Sequence, residues 1–133
     1  MRKWLVLLFT AGMLAASVAR GCGICAEDRM PATYDHDLVL GAMERGNQIV
    51  FTDVTSPQLT RAEWHVLSWR AQSVHGVMKD SIRISKSPMA LSFEIDPKAT
   101  TAADAIRDIN RRIGKPTRIS LVQTMSPRAV ALH

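Results

Sequence analysis

The chain has no glycine-rich phosphate loop, no Ser/His/Asp or Cys/His set that assembles into a catalytic constellation, and only two cysteines. Without the loop there is no cradle for nucleotide phosphates. Without the constellation a nucleophilic enzyme has no starting point, and non-catalytic functions come to the front. Asp35-His36-Asp37 holds the right residue types to orient a base, but three polar neighbours outside a core normally face solvent. Cysteine is too scarce to staple a tail to a domain, because no third one exists to do it. The basic residues do not form a block either. Arg45, Arg61, Arg70, Arg83, Arg111, Arg112 and Arg118 are scattered along the chain, which argues against a nucleic-acid partner.

What is present is an ordinary globular composition. The 133 residues are 47% hydrophobic and 22% charged, which excludes collagen-like and disordered polymers and accommodates one domain with a short appendage. Much of the apolar content stands at the start. Met1-Arg2-Lys3 is a basic leader, Trp4 to Phe9 and Ala11 to Ala16 are mostly apolar, and Ser17-Val18-Ala19 offers small residues to a signal peptidase. Residues 1–19 therefore read as a secretory signal peptide cleaved after Ala19. The run is too short for a comfortable membrane span, so no stable span is expected after cleavage. Removing Arg2 and Lys3 lowers the net charge from +5 to +3. A periplasmic or secreted location follows.

Residues 20–46 form an arm that carries both cysteines and a short helix. The helix is expected over Asp35 to Arg45, with Asp37 as its N-cap and Gly46 as its stop. From residue 47 to 123 the signals alternate. Gln48 to Val54 is rich in β-branched and aromatic residues and reads as a strand. Thr60 and Glu63 make a capping box for a helix running from Arg61 to about Val74, with Leu67, Ala71 and Val74 on one buried stripe. Ser81 to Lys86 alternates, and so does the segment holding Leu91, Phe93 and Ile95, with Ser92 and Glu94 facing the other way. Ser87-Pro88 joins the two into a hairpin with one apolar face. Ala102, Ile106, Ile109 and Ile113 follow a helical period, which Gly114 and Pro116 end. Arg118 to Gln123 is the last strand, and residues 124–133 read as a loose tail.

The order is β-α-β-β-α-β. Right-handed crossovers turn it into a ferredoxin-like α+β sandwich, a four-stranded antiparallel sheet with two helices on one face. That fold is shared by many functions. RNA-recognition domains use it with aromatics on the exposed sheet face, and Met89 to Ile95 lacks them. Of the two helix tryptophans, Trp64 and Trp69, five residues apart, one is expected on the sheet. His65 reads as a surface residue and His75 as a helix C-terminal cap, whose charged form would suit the dipole.

Val74-His75-Gly76-Val77, the hairpin between Ile82 and Ile95, the turn Asp96-Pro97-Lys98-Ala99-Thr100-Thr101, Ala105-Ile106, and Ile109 to Gly114 together resemble the heavy-metal-associated domains of copper chaperones and metal-pumping ATPases. The resemblance covers about half of the chain after the leader. It implies the same fold and a soft metal ion as cargo, exchanged with a donor or acceptor protein in the cell envelope. In that family the metal cysteines occupy the loop after the first strand. Here that loop, Asp53 to Leu59, contains no cysteine, and the chain's Cys-x-x-Cys lies upstream at Cys22-Gly23-Ile24-Cys25.

Three chemistries suit this pair. Two thiolates suffice for near-linear Cu(I) or another soft ion, with Met30 or His36 as possible additional ligands, and Asp35 or Asp37 if the ion is zinc. A Cys-Gly-x-Cys is also a thiol-disulfide exchange motif, although the strand that precedes it in thioredoxins is absent. The third chemistry is a local disulfide of so small a ring that it contributes about 2 kcal/mol or less. A further alternative is a non-catalytic envelope module that docks partners through the open sheet face or an edge strand.

Overall fold

The computed structural model describes Met30 and residues 32–127. Its elements are α1 (His36–Glu44), β1 (Gln48–Thr55), α2 (Arg61–Gln72), β2 (Arg83–Lys86), β3 (Met89–Ile95), α3 (Ala102–Ile113) and β4 (Arg118–Met125). All strand pairs are antiparallel and the sheet order is β2-β3-β1-β4. This is the ferredoxin-like order, with β1 and β3 central and β2 and β4 at the edges.

The expected capping box starts the first helix of the β-α-β-β-α-β unit. The Thr60 side chain accepts from the Glu63 N–H at 3.2 Å, and Glu63 Oε2 accepts from the Thr60 N–H at 2.6 Å. These bonds hold the Glu63 carboxyl below its ordinary range. Thr101 caps α3 with a single bond, its side chain accepting from the Asp104 N–H. Both helices lie on one face, over a core built from Val50, Val54, Leu91, Phe93, Ile95 and Ile119 of the sheet and Trp64, Leu67, Ala71, Ala105 and Ile109 of the helices. Arg70 ties the pair together by donating to the carbonyls of Arg112 and Ile113 at the end of α3.

The opposite sheet face departs from expectation, because it is not open. Ile49 and Phe51 point to it from β1 and are buried under Val39 and Ala42 of α1, with Met30, Leu38, Met43, Val122 and Met125 packed around them. Covering a side chain such as Phe51 contributes about 1.5–3 kcal/mol, which explains why β1 is apolar on both faces. The expected contrast between a buried and a solvated side of β3 also fails. Ser92 and Glu94 are as buried as Leu91 and Phe93, since α1 and its flanks lie over them.

Smaller differences have local causes. Asp35, not Asp37, caps α1. Its backbone is extended (φ −125°, ψ 111°) and its carboxylate accepts from the Leu38 N–H, while Asp37 falls inside the first turn. β2 begins at Arg83 rather than Ser81, because the Ser81 hydroxyl is spent on the Met78 carbonyl and the Glu94 N–H. Ile82 packs on the core while Ile84, on the edge strand, stays exposed. β4 continues two residues beyond Gln123, pairing Met125 with Ile49. Trp64 is buried, Trp69 is 66% exposed, and His75 lies two residues beyond the Ser73 C-cap of α2. Among the described residues no helix is long and apolar enough to cross a membrane.

Candidate metal centre

Cys22 and Cys25 lie outside the described residues, as do the leader and the end of the tail. What the structure describes is the point where the arm meets the domain, and the surroundings of every other candidate ligand.

The junction is tied down by polar contacts. The Ser92 hydroxyl donates to the Thr33 carbonyl at 3.1 Å. Two residues later Asp35 Oδ2 accepts from Arg83 Nε at 2.7 Å. The Arg83 guanidinium, followed by the Leu38 N–H, holds the Asp35 carboxyl below its ordinary value. At the other end of α1, Arg45 donates through Nε and Nη2 to the two oxygens of Glu94, at 3.0 and 2.8 Å. Asn47 adds a third bond to Glu94 at 2.6 Å. A carboxylate only 2% exposed is tolerable because it is paired and fully bonded. Hydrogen bonding to Glu94 in turn raises the Arg45 pKa above its ordinary value. Helix α1 is thus clamped to the sheet at both ends by arginine–carboxylate pairs (Asp35–Arg83 and Arg45–Glu94).

These contacts sort the candidate ligands. Asp35 is engaged as cap and ion-pair partner. Met30 is half-buried and packs against the Ile49–Phe51 cluster, so its thioether serves packing. His36 is exposed at the first position of α1, with its Nδ1 3.4 Å from the Tyr34 hydroxyl. Asp37 is exposed in the first turn of the same helix. Among the described residues no three His, Cys, Asp or Glu side chains gather where they could hold one ion. Cys22 and Cys25, whose soft thiolates suit Cu(I), lie outside this described set.

The loop after β1 is built without any such donor. Pro57 stands inside it, the Ser56 and Thr117 hydroxyls share a 2.8 Å hydrogen bond, and Thr60 closes it as the α2 cap. Its distance from the arm follows from register. Ser92 pairs with Phe51, so the Thr33 anchor sits over that rung, four residues short of the β1 end at Thr55. Four strand residues span about 13 Å. Cys25 precedes Thr33 by eight residues, and eight residues reach at most about 28 Å.

No family model matches the chain, and no curated protein does. Among solved structures, a copper binding domain from a P-type ATPase is similar in fold, covering 58% of this chain and 96% of that one, with a TM-score of 0.49 and 14% sequence identity.

The Thr33–Ser92 anchor and the Arg45–Glu94 clamp were not foreseeable as sites. Both depend on α1 lying across the sheet, which hydrophobic spacing in a nine-residue helix does not specify.

Proposed function

We propose that the protein is an exported, non-catalytic binder of a soft metal ion. Cys22 and Cys25 are its ligands and Cu(I) is the cargo their chemistry suits. The leader of residues 1–19 directs it to the periplasm or outside the cell, and cleavage after Ala19 leaves the dithiol close to the new start of the chain. The ion is transferred or sequestered, with a metal donor or acceptor protein of the cell envelope as partner.

The observation that carries this reading is the anchored junction. A Cys-x-x-Cys stands eight residues ahead of a carbonyl pinned to the sheet, which tethers two thiolates to a rigid domain on an arm long enough to reach the cysteine-free loop after β1. Among the described residues His36 is the exposed histidine nearest in sequence to the cysteines, and a third ligand from it would leave the packing undisturbed. Recruiting Met30 would cost its contacts beneath α1. In an oxidising compartment two free thiolates would join, so bound metal or a reductant must protect them.

Native mass spectrometry of protein recovered from the cell envelope tests this. The expected species carries one copper and two unjoined thiols. A Cys22–Cys25 disulfide that takes up no metal after reduction would contradict it, and a readily exchanging disulfide would mark thiol-disulfide chemistry instead.

A further inference from the structure

The sheet has two free edges, and the chain treats them differently. At β4 the Asn110 carboxamide donates to the Ile119 carbonyl at 2.9 Å and accepts from the Ile119 N–H at 2.8 Å. It takes the bonds that a neighbouring strand would seek there. At the other edge, among the described residues, β2 pairs with β3 alone. Beside β2 runs a groove walled by α2, with Trp64, Trp69 and Ile84 as its apolar surface and Arg61 and Lys86 as its cationic residues. Among the described residues no carboxylate lines it, and Trp69 is 66% exposed.

We infer that this groove docks a short, extended, acidic segment of a partner protein, with an apolar side chain seated against Trp69 and Ile84. The charge of the groove selects the occupant, because Arg61 and Lys86 line it beside the apolar side chains and, among the described residues, no acid in the lining neutralises them. An extended chain laid along β2 would also find unpaired backbone groups, the usual source of affinity in strand addition. The four-residue length of β2 limits the segment to a few residues. Tryptophan and arginine are enriched among the residues that dominate docking energetics. A bilayer fits the shape less well, because a flat surface needs its apolar and basic groups on one convex face, whereas here they line a concavity between helix and strand. This docking uses neither cysteine and stands apart from metal binding.

Tryptophan emission tests it directly. A synthetic peptide of Glu-Asp-Leu repeats is titrated into the protein, with a Lys-Lys-Leu peptide and phosphatidylglycerol vesicles as comparisons. A saturable blue shift is expected with the acidic peptide, weakening as salt screens the charges. Binding of the acidic peptide, followed by titration calorimetry so that it does not depend on the deleted indole, should disappear in Trp69→Ala, an exposed position whose far-UV circular dichroism should match wild type, and affinity should fall about tenfold in Lys86→Glu. The inference is overturned by no saturable response to the acidic peptide, by an equal response to the lysine peptide, by a response to vesicles alone, or by unchanged binding in Trp69→Ala.

Discussion

A β-carbon placed on Gly76 would stand 2.5 Å from Thr100 Cγ2 and 2.9 Å from Thr100 Cβ. The turn that leaves α2 and the turn that enters α3 are pressed together at this point, and the Asp96 N–H donates to the Gly76 carbonyl at 2.9 Å. Gly76 also has φ +84°, a conformation that penalises any side chain. Both the contact and the backbone demand glycine. Gly76→Ala should destabilise the fold by about 2–4 kcal/mol, read as a lower midpoint in urea with an unchanged slope.

Arg45 is the main support of a buried carboxylate. Arg45→Ala leaves Glu94 with Asn47 as its remaining side-chain partner, at a site 2% exposed. A loss of about 2–3 kcal/mol is expected. Because the clamp holds one end of α1, amide hydrogen exchange should accelerate in α1 before it does in α2 or α3.

Acid should weaken the attachment of the arm. The folded-state pKa of Asp35 lies below its ordinary value of 3.8, chiefly through the Arg83 hydrogen bond. Asp104 is lowered by Thr101 and Arg107, and Glu63 by Thr60. A depressed pKa contributes stability that is full above the unfolded value and is lost as pH falls through the folded one. Stability should therefore hold above about pH 5 and decline below about pH 4. Asp35→Asn should flatten that decline, as followed by urea midpoints across the range.

Asn110 protects the β4 edge. Asn110→Ala frees both backbone groups of Ile119 beside the exposed Leu121. The variant should lose about 1–2 kcal/mol and self-associate more readily, visible as a larger weight-average mass in sedimentation.

The legible parts of the fold were those written in local chemistry. Thr60 with Glu63 marks a helix start because two backbone donors there need acceptors, and Gly114 before Pro116 marks a stop because neither residue continues a helix. Alternation in Leu91, Phe93 and Ile95 marks a strand because successive side chains face opposite ways. The burial of Ser92 and Glu94 was not legible, because it is decided by a helix that is distant in sequence and held by Arg45, Asp35 and Thr33. The cap was misplaced for a related reason, since Asp35 and Asp37 are equal candidates until Arg83 arrives from β2. At the site, the spacing of Cys22 and Cys25 was visible at once, while the fixed point from which they extend required the sheet.

The central claim is that these two cysteines bind a soft metal ion. Titration of the reduced protein with Cu(I) against a competing chelator tests it most directly. One equivalent should be withdrawn from the chelator by the wild type and none by Cys22→Ser or Cys25→Ser. Equal withdrawal by the wild type and both variants, or none by any of them, would contradict it.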